Sequence, residues 1–150
     1  MDVAIPANRP LLDYLTRRNP GAGLFAAPES AADPYLGLGS HPDVVARLWD
    51  QLGSSLPADC RGIVCGTPAL VHARSGTILA FALGTQYALR LPDGRVAEAE
   101  RLGLQTVTRW AGGSTTGARS EFGPGWTFGR YRPEEAVWLR EAFDLAAGAG

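Results

Sequence analysis

The side chains best suited to covalent chemistry cluster in one segment, where Cys65, His72 and Ser75 fall within eleven positions. A cysteine thiolate activated by a neighbouring histidine is a common nucleophile–base pair. In an uninterrupted strand, however, residues seven positions apart point to opposite faces, and only a bulge such as one at Pro68 would reverse this. Ser75 is also typical of a turn. The segment therefore predicts a β-hairpin and no catalytic residue, while an enzyme of unknown reaction around Cys65 and His72 remains an alternative.

Metal binding is the second chemistry that these residue types could support. The candidate ligands are His41, Cys60, Cys65 and His72. The cysteines form a C-x4-C pair, but the histidines lie 31 positions apart and cannot form the short H-x3-5-H pair of common zinc modules. We therefore expect no metal site and no cofactor.

A third group of residues combines indole rings with guanidinium groups. If the strands that carry them pair, they would lie together at one end of a sheet. Such mixtures are typical of protein interfaces and of platforms on which bases stack. The predicted ligand- or partner-binding surface consists of Arg109, Trp110, Arg119, Trp126, Arg130 and Arg132. The alternative interpretation is that Trp126 belongs to the core and the arginines form a solvated rim.

Helices and strands must position these candidates, and their signals alternate along the chain. Helices are predicted at 10–18, 41–52, 95–102 and 133–147, the second with Ser40 as its N-cap. Strands are predicted at 61–73, 77–83, 87–91, 104–110 and 121–131, with Arg90 pointing outward. Residues 21–39 show no period and are interpreted as an irregular connector. The pattern predicts an α+β fold with an antiparallel sheet of about five strands and flanking N-terminal, internal and C-terminal helices.

Length and composition agree with one soluble domain. With 150 residues, residues 1–39 are interpreted as an N-terminal extension with a short helix and 40–150 as the α+β domain. All 14 basic residues are arginine, which excludes lysine Schiff-base chemistry, and the net charge of −1 does not favour nucleic-acid binding. The longest apolar run, 78–83, is too short to span a bilayer. We expect a cytoplasmic protein with reduced thiols and no membrane partner.

Residues 66–99 read GTPALVHARSGTILAFALGTQYALRLPDGRVAEA and are followed by a tryptophan segment and a tryptophan-bearing helix. This pattern, a hairpin leading to a strand that ends in LRLP, resembles the TfoX N-terminal and YjbR-like family over about residues 61–145. It is also similar to related bacterial proteins that share the phrases GTPALV and FGPGWTFGRY. The resemblance implies a compact α+β fold without established catalytic residues, in a group whose members are often labelled DNA-binding.

These observations lead to one functional prediction. The chain is predicted to be a bacterial, non-enzymatic binding or regulatory module that uses the arginine–tryptophan surface to hold an unknown protein or a small anionic ligand. Nucleic-acid binding by the same surface is the first alternative. A homodimer is left open.

Overall fold

The computed structural model describes residues 2–20, 23–26, 39–107 and 122–149. Within them the α-helices are α1 (Arg9–Arg18), α2 (Pro42–Ala46), α3 (Val96–Arg101) and α4 (Glu134–Ala149). The strands are β1 (Leu24–Ala26), β2 (Arg61–Val64), β3 (Thr67–Val71), β4 (Ile78–Leu83), β5 (Gln86–Arg90), β6 (Thr106–Val107) and β7 (Trp126–Phe128). A π-helical segment, Arg47–Leu52, continues α2, and short 3-10 turns cover Pro6–Asn8, Gly53–Ser55, Ala58–Cys60 and Asp93–Arg95.

The strands form one antiparallel sheet in the order β1-β2-β3-β4-β5-β7-β6. Hairpins join the consecutive strands from β2 to β5, and β7 lies between β5 and β6. Helices precede, interrupt and follow these strands along the chain. The predicted α+β domain with an antiparallel sheet and N-terminal, internal and C-terminal helices is therefore confirmed.

Two differences from the expected strands raise the number of strands in the described part of the chain to seven. The segment 61–73 was expected to be one strand, but it folds back on itself at Cys65 and Gly66, whose φ angles are 50° and 74°. Two successive left-handed residues produce the tight turn that matches strand twist in a two-residue hairpin. In addition, β1 lies within the predicted connector and pairs with β2, with Leu24 opposite Val64.

The start of α2 also differs from the prediction. The N-cap is His41 rather than Ser40, and its Nδ1 accepts a hydrogen bond of 3.1 Å from the backbone N–H of Asp43. A histidine ring nitrogen can thus satisfy one of the free amides at a helix start, as an oxygen of serine or aspartate usually does. One side of the helix is apolar and faces the core, since Val44, Val45 and Leu48 are all buried.

Both faces of the sheet are covered. On the face that we call the α4 face, alternate strand residues pack against α2, its π-helical continuation and α4, including Leu70, Ala80, Ala82, Tyr87, Leu89, Val45, Leu48, Trp49 and Leu139. On the opposite face, called the α1 face, the packed residues include Leu11, Leu15, Val71, Phe81, Ala88, Phe122, Trp126 and Phe128. A sheet covered on both sides explains the unbroken apolar run of β4, in which all six residues are buried.

Candidate functional site

The predicted arginine–tryptophan surface divides when its residues are placed in the fold. Arg109, Trp110 and Arg119 lie outside the described residues. Trp126 is only 2% exposed and packs on the α1 face. The backbone amides of Arg130 and Arg132 donate to Glu135, which also receives the hydroxyl of Tyr87 on the α4 face. The described members therefore belong to two sites on opposite faces of the sheet.

Cys65 and His72 are also separated by the fold. Cys65 lies in the turn before β3 and His72 follows the end of that strand, so the extended chain between them spans roughly 20 Å. The Sγ of Cys65 lies 3.8 Å from Oγ1 of Thr16 in α1. This geometry does not bring the thiol to the imidazole.

The imidazole of His72 is instead occupied within the β3–β4 hairpin. Its Nδ1 accepts the backbone N–H of Ser75 at 3.1 Å and lies 3.1 Å from the Ser75 hydroxyl. That hydroxyl also lies 3.0 Å from Oγ1 of Thr77, and the ring packs at 4.8 Å from Phe143. Side chains that bond the backbone of a turn stabilise the turn itself. The segment is the predicted hairpin, and its polar residues close the turn.

A buried polar network on the α4 face joins Tyr87, Glu135 and Arg47. The Tyr87 hydroxyl donates to Oε1 of Glu135 at 2.5 Å, and Arg47 donates to the same oxygen at 3.1 Å and to the Tyr87 oxygen at 3.2 Å. Oε2 of Glu135 accepts the backbone N–H groups of Arg130 and Arg132. Glu135 is fully buried, and every oxygen has a partner. The network fixes the segment between β7 and α4.

The electrostatics of this network are balanced. Burial opposes the charge of Arg47, but its hydrogen bonds to Tyr87 and Glu135 outweigh burial and raise the pKa of the guanidinium. Burial, together with the hydrogen bond to Glu135, raises the pKa of the Tyr87 phenol well above its ordinary value. The three groups therefore keep a neutral phenol between a carboxylate and a guanidinium that neutralise each other.

Arg90, at the end of β5, has a different environment on the α1 face. Its guanidinium carbon lies 4.7 Å from the ring centroid of Trp126, which is a cation–π distance. Nε donates to the carbonyl of Ile78 at 2.7 Å, and Nη2 donates to Oδ1 of Asn8 at 3.1 Å and to the carbonyl of Ala7 at 3.4 Å. The expected outward orientation of Arg90 was wrong, because described residues cover both faces of the sheet.

Asn8 holds both Arg90 and the N-terminal segment in place. This side chain is fully buried and donates to the carbonyls of Val3 and Gly76 at 2.8 Å each. Its Oδ1 accepts the backbone N–H of Ile78 as well as the Arg90 guanidinium. All hydrogen-bonding positions are thus used, which orients Arg90 from a rigid support.

A cavity of about 730 Å³ adjoins Arg90 where β5, the turn after it and the C-terminal half of α4 meet. Its lining is predominantly apolar. The lining residues are Ala7, Thr77, Arg90, Leu91, Pro92, Asp93, Val96, Pro124, Gly125, Ala142, Leu145 and Ala146. Small-molecule sites have this size and composition, with few polar groups that set orientation.

Arg90 is the cationic group of this lining, and its charge is not neutralised by any carboxylate of the described residues. Burial lowers the pKa of Arg90 to about 10, and no acidic residue in the described part of the chain compensates for it. The nearby Arg95 differs, because it forms ion pairs with Glu98 and Glu141 that raise its pKa. The arrangement presents one fixed cation beside an apolar space, which suits an anion with an apolar body.

Sequence reasoning missed both Glu135 and Arg90. Glu135 lies in the first turn of α4, where the helix dipole favours an acidic residue, and this position gives no indication of its partners. For Arg90 a signal exists in the neighbouring strand. The unbroken apolar run of β4 indicates a sheet buried on both faces, so an arginine in the adjacent strand must point into one of the two covered sides.

Comparison with protein-family models, with curated proteins and with solved structures finds no match to this chain. No helix among the described residues is long and apolar enough to cross a membrane. In the same part of the chain, no group of three or more histidine, cysteine or acidic residues is placed to hold a metal ion. The case for a function therefore depends on the geometry of the Arg90 cavity.

Proposed function

We propose that this protein binds a small organic anion whose negative group pairs with Arg90 and whose apolar body fills the adjoining cavity. The observation that carries the proposal is the guanidinium of Arg90, which is held over Trp126 beside the cavity without a carboxylate partner among the described residues. A guanidinium is the side chain best suited to pairing with carboxylate or phosphoryl oxygens.

The energetics of burial support this interpretation. A partly buried charge that meets only neutral oxygens is costly, since carbonyl and amide dipoles replace its hydration incompletely. An incoming anion supplies the missing counter-charge in a region of low dielectric constant, where the pairing is stronger than in water. The uncompensated charge raises the free energy of the empty site. Because a bound anion neutralises this charge, binding is favoured.

The proposal retains part of the sequence-based prediction and relocates the rest. A small anionic ligand and a tryptophan anchor were both expected, and Trp126 belongs to the predicted surface. The cation is now Arg90 instead of Arg130 or Arg132, because those two arginines follow β7 into the segment that Glu135 holds on the other face.

The test is titration calorimetry with 3-phenylpropanoate, a carboxylate with an apolar body small enough for the cavity. We expect saturable binding by the wild-type protein and affinity about 10- to 100-fold weaker in Arg90→Met, because one charge-assisted hydrogen-bonded pair contributes about 1.5–3 kcal/mol. Arg101→Met, which removes the same charge from an exposed position on α3, is the matched control and should bind like the wild type.

Two results would count against the proposal. Equal affinity in the wild type and Arg90→Met would mean that the anion binds elsewhere. Absence of binding by 3-phenylpropanoate and by a phosphonate of the same body would leave the cavity without an anion-binding role.

A further inference from the structure

We infer that the Arg90 cavity selects a ligand with a single negative charge, a carboxylate, and rejects the dianionic phosphoryl group, with Asp93 acting as the residue that sets this specificity. The inference rests on the proposed function and narrows its ligand class. It combines three observations: the donors that Arg90 has left, the charges in the lining, and the apolar surface that a ligand body would cover.

Most of the donor capacity of Arg90 is already used. Nε and Nη2 donate to Ile78, Asn8 and Ala7, whereas Nη1 donates to no residue in the described ranges. Nη1 can donate a charge-assisted hydrogen bond to a carboxylate oxygen. A phosphoryl group presents three oxygens and would need further donors, which the predominantly apolar lining does not supply.

The charges in the lining also favour a monoanionic ligand over a dianionic one. Arg90 contributes one positive charge and Asp93 contributes one negative charge to the same cavity, while Arg95 is already held by Glu98 and Glu141. Asp93 forms no ion pair with Arg90 and does not contribute to its pKa. A monoanion neutralises Arg90, whereas a dianion would add a surplus negative charge to a cavity that Asp93 also lines, with its exposed carboxylate.

The remaining lining indicates an apolar ligand body. Val96, Ala142 and Ala146 contribute apolar surface, and Leu145 on α4 is 64% exposed. A single exposed leucine is common on a protein surface. Leu145, however, borders a cavity whose lining also includes the Arg90 guanidinium. A hydrocarbon or aromatic body that reaches from Arg90 to Leu145 would cover it and gain the free energy of burying apolar surface.

The experiment compares three probes with the same phenylethyl body: 3-phenylpropanoate, 2-phenylethylphosphonate and 3-phenylpropanamide. Each is titrated into the full chain by calorimetry, at a pH where the phosphonate carries two charges. We expect 3-phenylpropanoate to bind at least about 10-fold more tightly than either of the other probes. In Asp93→Asn the affinity for the phosphonate should rise more than that for the carboxylate, because a dianion is repelled more strongly.

Asp13→Asn makes the same charge change on α1, outside the cavity lining, and should alter none of the three affinities. Phosphonate binding as tight as carboxylate binding, and lost in Arg90→Met, would overturn the inference while the proposed function stands. Amide binding as tight as carboxylate binding would show that Arg90 recognises no charge, and both would then be wrong. An equal response of the two anions to Asp93→Asn would remove Asp93 from the specificity.

Discussion

Two partly buried arginines of this protein, Arg47 and Arg90, meet the central sheet on opposite faces and have opposite electrostatic situations. Each guanidinium lies over an aromatic ring, Arg47 at 5.3 Å from Tyr131 and Arg90 at 4.7 Å from Trp126. Arg47 also pairs with the buried carboxylate of Glu135. Among the described residues, Arg90 meets only the neutral oxygens of the backbone and of Asn8.

The difference shows how the surroundings of one residue type can separate a structural role from a binding role. Burial disfavours the charge of both arginines, but within the described ranges only Arg47 has hydrogen bonds, to Tyr87 and to the acidic Glu135, that outweigh the cost. In the buried Arg47–Glu135 ion pair, both carboxylate oxygens already accept hydrogen bonds, so the pair has no free acceptor for a ligand. With respect to the residues that the structure describes, Arg90 retains a donor nitrogen without a partner and a charge without a counter-charge, and a ligand in the cavity can supply both.

The largest effect on stability is expected from Glu135→Gln. The change leaves the Arg47 guanidinium without its counter-charge and gives two backbone N–H groups a weaker acceptor, so unfolding should cost about 3 kcal/mol less than in the wild type. Urea denaturation monitored by circular dichroism measures the difference. Glu134→Gln, at the neighbouring and less buried position, should change stability by less than about 0.5 kcal/mol. A loss below about 1 kcal/mol in Glu135→Gln would mean that the network is not needed for stability.

Gly129→Ala tests how tightly the same network is packed. A Cβ at this position would lie 1.9 Å from Cε2 of Tyr87, a ring that cannot move away because its hydroxyl is bonded to Glu135. Overpacking of this kind should destabilise the protein by about 2 kcal/mol in thermal or urea unfolding. Gly94→Ala is the control, since a Cβ there would meet nothing within 4 Å. Similar stabilities of the two variants would show that Tyr87 can shift freely.

The pH dependence of the free energy of unfolding should reveal the contribution of the Tyr87 phenol to stability. Its pKa is raised in the folded state, so its contribution is complete below pH about 10, where tyrosine in the unfolded chain remains protonated, and is lost as the pH rises further. One such group gives a slope of at most about 1.4 kcal/mol per pH unit. Unfolding of wild type and Tyr87→Phe, measured between pH 8 and 11, should show the steeper decline in the wild type. Equal declines of the free energy of unfolding in the two proteins would contradict this expectation. The titration of Arg90 does not affect the comparison, because both proteins contain this residue.

Much of the fold could be predicted from the sequence, because local signals decide most of it. The helices begin and end near their predicted positions, and the Arg74-Ser75-Gly76 turn separates β3 from β4 as expected. The division of 61–73 into two strands was missed because every residue from Thr67 to Val71 is buried, so no alternation of apolar and polar residues marks the boundary. The turn itself contains Cys65 at a left-handed φ angle, and cysteine is not a residue type that indicates a turn.

The candidate site could be predicted less well, because it depends on contacts between distant positions. Arg90 is held by Asn8, 82 positions earlier, and Arg47 meets Glu135, 88 positions later. Local patterns contain no information about such pairs. The sequence suggests that arginine and tryptophan lie together, but which arginine meets Trp126 is decided by the register of β5 against β7, where Arg90 lies opposite Trp126.

The smallest effect on stability is expected from Arg90→Met, and its contrast with Arg47→Met is the sharpest test of the comparison. Arg90→Met removes an uncompensated charge and fills similar space over Trp126, and Asn8 still accepts the N–H of Ile78, so stability should change by less than about 1 kcal/mol. Arg47→Met leaves the buried Glu135 carboxylate without its guanidinium partner and should lower the free energy of unfolding by about 3 kcal/mol. Urea unfolding of the two variants, side by side, measures the contrast. Equal losses would mean that Arg90 supports the fold as Arg47 does, and the argument that its charge is kept for a ligand would fail.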